Sequence, residues 1–286
     1  MRHSAKNLLA VLLALALVLG LCACGGPKTP VEVMAKAGEN LAKAGSMTFD
    51  MAMEMSMSAG GETVDMTITM NGETTTEPVA VHAGMDIDMG ALGAMAMELY
   101  AEQDDSTVTT YIGMDLGGSM TWMREETPLD EATAALDAKG DMGSSLALAA
   151  NLKEAGTETV GGVEATRYDG VITKENLQQM LENNGMLDEL GDTLDLKKSL
   201  EDAAENTEAL SDVPISIWID REAMLPVKYE MDMTEMMQKL MTQISMAASM
   251  EYPAVSRMKL SMTIGGIDTV DAITIPDEAR NAASVS

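Results

Sequence analysis

Residues 47–58, Met-Thr-Phe-Asp-Met-Ala-Met-Glu-Met-Ser-Met-Ser, set Met47, Phe49, Met51, Met53, Met55 and Met57 at a spacing of two. That spacing puts alternate side chains on one face of a β-strand. Five thioethers and a phenyl ring would therefore line one side of a segment roughly 40 Å long at about 3.4 Å per residue. Thioethers are soft ligands that select Cu(I); they also make deformable apolar surfaces. Soft-metal sites usually recruit histidine or cysteine, and His82 has the parity opposite to Val81 and Met85, so it should face away from the apolar side of its strand. The 29 methionines are also spread over nearly every strand-like segment instead of gathering in one cluster. Two compatible readings of the stripe follow: methionine replacing Leu, Ile and Val in a packed core, and methionine lining a cavity for an apolar guest. Methionine-based Cu(I) binding is a third.

Other chemistry is sparse. There is no G-x-S-x-G, no H-E-x-x-H, no phosphate-binding glycine loop and no calcium loop of the D-x-[DN]-x-[DN]-G type. Carboxylate pairs are too common in a chain with 46 acidic residues to single out a glycosidase pair. Trp122, Trp218 and five tyrosines offer little stacking surface for sugars. The expectation is a protein that is not an enzyme and that needs no cofactor or metal.

The N-terminus carries a different kind of chemistry. Arg2, His3 and Lys6 precede an apolar run from Leu8 to Leu21, and Leu21-Cys22-Ala23-Cys24-Gly25 follows. A basic start, an apolar stretch of this length and a small-residue cut site read as a secretory signal, too short for a permanent membrane span. Leu21-x-x-Cys24 looks like a bacterial lipobox, with Cys24 as the lipidated first residue of the mature chain. Lipidation at Cys22 would instead place Leu21 before the cut, where a small residue is wanted. No other cysteine follows, so a disulfide or a cysteine metal site is excluded from the mature chain. A two-chain lipid on Cys24 would anchor the protein durably to the outer face of the cell membrane. Loss of Arg2 and Lys6 with the signal leaves 16 basic against 46 acidic residues, a net charge of −30. Such a field disfavours nucleic acid and anionic headgroups and most simply marks a solvated surface.

The elements that must position these residues are legible from period and punctuation. Gly25-Gly26-Pro27-Lys28 is a tether, and Thr29-Pro30-Val31-Glu32 has the form of a capping box with proline at the first helical position. The helix it starts should bury Val31, Met34, Ala35, Gly38, Leu41 and Ala42 and stop near Gly45. From Ser46 the period changes to two. Val64, Met66, Ile68 and Met70 alternate with polar residues up to Asn71-Gly72, a hairpin turn signal. Val79 to Met89 alternates again, and strands are expected over 94–102, 106–114 and 119–125. Thr127-Pro128-Leu129-Asp130 reads as a helix start, with helix to about Lys153. Strands 156–160 and 163–171 flank a turn at Gly161-Gly162, and helix returns over 173–210 with a break at Asn184-Gly185. Strands then carry Ile215, Ile217 and Ile219, and Val227, Tyr229, Met231 and Met233, around a polar turn at Asp220-Arg221-Glu222. A helix from Met237 to Ala248 separates these from Met258, Leu260, Met262 and Ile264, and the chain closes on Ile273, Ile275 and Pro276.

A lipidation signal, a leading helix, a long antiparallel meander and interrupting helices together resemble the LolA/LolB and LppX-type lipoprotein carriers. Ile217-Trp218-Ile219-Asp220 with Leu225-Pro226-Val227-Lys228 resembles a hairpin of surface lipoproteins of Gram-positive bacteria for which no activity is established. Val160-Gly161-Gly162-Val163 with Tyr168, and Ile275-Pro276-Asp277, fit the same pattern. The resemblance implies an α+β fold: a strongly curved antiparallel sheet, or half-barrel, covered by helices on its apolar face. It also implies handling of a lipid or other hydrophobic small molecule.

The expected organisation is a signal peptide over 1–23, a lipidated tether over 24–30 and a single domain over 31–286. The candidate cavity residues are Met51, Met53, Met55, Met66, Ile68, Met85, Ile87, Met231, Met233, Leu260 and Met262. The alternative to ligand binding is a cell-envelope scaffold or interaction lipoprotein whose core is filled. No motif points to a particular protein partner.

Overall fold

The computed structural model describes residues 29–115, 118–129, 146, 148–183, 210–248 and 253–284. Cys24 with its signal and tether, the expected helical stretch over 130–145 and the continuation over 184–209 lie outside the described residues.

Helix α1 (Pro30–Ala42) begins where the capping box places it. Thr29 N–H donates to Glu32 Oε2 at 3.0 Å and Glu32 N–H donates to Thr29 Oγ1 at 3.3 Å, so two of the orphan donors of the first turn are satisfied reciprocally. The buried face is Val33, Met34, Ala37 and Leu41. The expected face was misphased: Val31 is 68 % exposed, because the helix turns its Met34–Leu41 edge to the sheet and leaves the capped first turn in solvent.

Among the described residues eleven long strands follow, β1 (Ser46–Ala59), β2 (Glu62–Thr76), β3 (Val79–Asp88), β4 (Ala94–Gln103), β5 (Thr107–Asp115), β6 (Met120–Pro128), β7 (Ala149–Val160), β8 (Val163–Ile172), β9 (Val213–Asp220), β10 (Pro226–Asp232) and β11 (Ala254–Gly265), and a short β12 (Ala283–Ser284). They form one curved, unclosed sheet in the order β12-β6-β5-β4-β3-β2-β1-β11-β10-β9-β8-β7. Every pair is antiparallel except β12 on β6. The hairpin at Gly161-Gly162 has both glycines at positive φ, 57° and 88°, the conformation a two-residue turn of this hand requires.

Three further expectations are corrected. Thr127-Pro128 does not open a helix but closes strand β6. Asn71-Gly72 is not a turn: β2 runs through it to Thr76. Glycine is needed there because the Phe49 ring of β1 lies across it; a Cβ on Gly72 would stand 2.4 Å from Phe49 Cζ and 2.7 Å from the His82 carbonyl oxygen. Residues 149–153 are strand rather than the end of a helix, with Ala149 buried in the core, so tertiary packing overrides the helix preference of the alanines.

The main core sits on one half of the apolar face. Helix α1 packs Val33, Met34, Ala37 and Leu41 against Met47, Tyr168, Ile215, Ile217, Ile219, Tyr229 and Ile264, so β8 to β11 and the start of β1 are covered. Leu177 of α2 (Lys174–Asn183) and Met236 of α3 (Thr234–Ala248) pack at its margin. After β11 the chain returns across the sheet end, where Asp268 Oδ1 accepts from Gly45 N–H at 2.5 Å. It then seats Ile275 and Ala279, the latter in α4 (Asp277–Arg280), against Tyr111 on the opposite, polar face. The Arg280 guanidinium grips Glu102 through two bonds of 2.7 and 2.9 Å and fixes that end. Among the described residues no helix is long and apolar enough to cross a membrane.

Candidate functional site: a methionine row on the open half of the apolar face

Register, which no single strand reveals, assembles the methionines. Met114, Met97, Met85, Met70, Met51 and Met262 are directly opposed pair by pair on β5, β4, β3, β2, β1 and β11. At roughly 4.8 Å between strands the row spans about 24 Å. It continues through Tyr229, Ile217 and Tyr168 on β10, β9 and β8. A second row beside it runs Met95, Ile87, Ile68, Met53, Leu260, Met231 and Ile215. Met66, Met55 and Met258 begin a third.

The two halves of this face differ in cover. Ile217, Ile215 and Tyr229 are 0, 4 and 8 % exposed beneath α1. Met51, Met53, Met55, Met70, Met85, Met97 and Met114 are only half-buried, and Met95 is 41 % exposed. The face therefore passes from a filled core at one end to an accessible, continuous thioether surface at the other.

Of the candidate cavity residues, Met51, Met53, Met55, Met66, Ile68, Met85, Ile87 and Leu260 lie together on the open half or at its boundary. Met231 and Met262 share their rows but pack against the core, and Met233 follows β10 at the start of α3, also at the core margin. Met70, Met97 and Met114 complete the row and were not among the candidates. Met97 and Met114 obey the same alternation inside the 94–102 and 106–114 segments, which is the signal that could have found them.

The polar face is organised by charge. His82 points away from the methionines, as its parity requires, with Nε2 2.7 Å from Glu98 Oε2 and its ring stacked on Tyr100 at 4.3 Å. Trp218 is 2 % exposed although it lies on this face. Lys228 Nζ and the Arg167 guanidinium cover it at 4.6 and 5.2 Å from the ring centre, and its Nε1–H donates to Glu158 Oε1 at 2.6 Å. Burial by itself would raise the Asp169 pKa, but hydrogen bonds from Ser216 Oγ and Arg167 Nε, both 2.7 Å, and the arginine charge hold it below the usual carboxylate range. A groove here lined by Glu54, Ser216, Glu230, Asp232 and Lys259 is too charged for an apolar guest. Among the described residues no group of three or more His, Cys, Asp or Glu side chains is arranged to hold a metal ion.

The family model described as a family of unknown function, DUF6612, matches residues 29–284. No curated protein matches the chain in sequence. Among solved structures the chain is similar to LprF from Mycobacterium bovis, at 12 % identity over 89 % of this chain and 100 % of that one, with a TM-score of 0.47. It is also similar to the lipoprotein LppX from Mycobacterium tuberculosis, at 11 % identity over 86 % and 98 % with a TM-score of 0.43. A LolA superfamily protein from Nitrosomonas europaea matches at 9 % identity over 88 % and 97 %, with a TM-score of 0.22. At such low scores these structures assign no role to this chain.

Proposed function

Because the chain belongs to this family of unknown function, DUF6612, we propose a role from its own surfaces: a non-catalytic lipoprotein that holds a lipid or other hydrophobic molecule against the methionine row. The observation supporting this is the unbroken row of half-buried methionines, continuous with a face that elsewhere is closed by α1. A soluble protein rarely leaves an apolar surface of this extent unfilled without a use for it. Methionine suits the task because its unbranched, polarisable side chain reshapes around chains of varied form. In this reading residues 31–286 are one domain, Cys24 carries the lipid anchor, and the domain works outside the cell membrane. Copper binding is disfavoured by geometry, since His82, the one histidine beyond the signal, is engaged by Glu98 on the opposite face. The scaffold alternative draws on the filled half under α1.

The test is binding of the neutral fluorescent probe N-phenyl-naphthylamine to the full chain, with native mass spectrometry of the gently purified protein. Saturable binding displaced by long acyl chains, or a co-purifying apolar mass, is the expected result. A clean unliganded mass together with no probe binding would leave the filled scaffold as the better description.

A further inference from the structure

The methionine row ends on a side chain of a different chemistry. Tyr229 stands directly opposite Met262 on one side and Ile217 on the other, on the apolar face where the open half meets the core. It is 8 % exposed, and its hydroxyl is enclosed with no hydrogen-bond partner among the described residues. A buried hydroxyl without a partner is costly, and native proteins seldom tolerate one without a reason. Phenylalanine would fill the same space without that cost.

We propose that the Tyr229 hydroxyl is the polar anchor of the site, donating a hydrogen bond to a neutral acceptor oxygen, such as an ester carbonyl, of a lipid lying along the methionine row. The assignment rests on the apolar-ligand reading above. Three features support it. Tyr229 follows Met51 and Met262 in the same row, so a chain lying along those two residues would bring its polar end to Tyr229. Burial raises the Tyr229 pKa, so the group stays protonated and is a donor at any physiological pH. Its row neighbour Met262 and the adjacent Met231 are flexible side chains at the core margin, able to swing aside as the acceptor arrives. The acceptor should be neutral: among the described strand residues that register places on this face there is no lysine or arginine, and a buried carboxylate would lack a counter-charge.

The experiment compares native protein with Tyr229→Phe in two measurements. In displacement of N-phenyl-naphthylamine from the full chain, methyl palmitate should outcompete hexadecane by about tenfold on the native protein, with palmitate weaker than the ester, and Tyr229→Phe should close the gap between ester and hydrocarbon. In urea unfolding without ligand, Tyr229→Phe should unfold at the same or a higher midpoint, because it removes an unpaired buried hydroxyl. A lower midpoint for the unliganded variant, or equal competition by ester and hydrocarbon on the native protein, overturns the assignment. Probe that fails to bind native protein at all defeats the apolar-ligand reading and the anchor with it, whereas binding without ester preference defeats the anchor alone.

Discussion

Truncating one residue from each half of the apolar face should separate a wall from a core. Ile217 is 0 % exposed and enclosed by α1 and its strand neighbours, so Ile217→Ala leaves a sealed void and should cost about 2–5 kcal/mol. Met70 lies in the centre of the row between Met51 and Met85 and is half-buried. Full burial of a methionine side chain is worth about 1.5–3 kcal/mol, so removing a half-buried one, with the gap open to water, should cost about 1 kcal/mol. For a domain of this size each kcal/mol lowers Tm by about 2–4 °C. Thermal unfolding of the unliganded protein, followed by circular dichroism, should therefore show a drop of about 4–20 °C for Ile217→Ala and about 2–4 °C for Met70→Ala. Probe affinity should reverse the order, with Met70→Ala weakening binding by about threefold to tenfold. Equal losses of Tm would mean that the open half is packed as tightly as the rest, and the reasoning from exposure would fail.

Four further outcomes follow from other parts of the molecule. Gly72→Ala should destabilise by about 1–3 kcal/mol in urea unfolding, since the new methyl meets Phe49 and the His82 carbonyl; an unchanged midpoint would show that β1 and β2 yield freely. Acrylamide should quench Trp122 in a Trp218→Phe protein and leave Trp218 largely protected in a Trp122→Phe protein, because Lys228 and Arg167 cover only the latter ring; equal quenching would refute the cationic cover. The lowered Asp169 pKa means that its stabilisation is present above the unfolded carboxyl pKa of about 3.9 and is lost as pH falls through the lower folded value. Asp169→Asn should thus reduce stability at pH 7 and make little difference near pH 2, and a pH-independent effect would contradict this. Limited peroxide should convert Met51, Met70 and Met85 to sulfoxides while sparing Met34 and Met47, which are 2 and 0 % exposed; uniform protection, read by peptide mass spectrometry, would show that the row is sealed.

Much of the fold was legible because its signals are local. The change of period at Ser46, the capping box at Thr29 and the paired glycines at 161–162 each report the backbone of their own neighbourhood. What was not legible depends on a second segment. Asn71-Gly72 has the composition of a turn, and only the Phe49 ring on β1 explains why glycine is there. The alanines around 149 favour helix until β8 pairs with them. The phase of α1 was ambiguous because small residues surround Met34 and Leu41 on several sides, and the sheet chooses among them. Parity places Met97 and Met114 on the same face as their neighbours, but that they stand opposite Met85 and each other in one row is a property of register across six strands. Tyr229 likewise read as one more strand residue; that its hydroxyl is unpartnered is visible only in three dimensions.

The proposed function requires an acyl chain to lie on the methionine row. Photo-crosslinking of the full chain with a fatty acyl ester carrying a diazirine in mid-chain, followed by peptide mapping, tests it most directly. Adducts are expected on Met51, Met70, Met85 and Met97 and their neighbours on the same face, suppressed by excess unlabelled ester. Adducts confined to the polar face, at residues such as Ala52, Thr69 or Glu98, or no specific adduct at all, would contradict it.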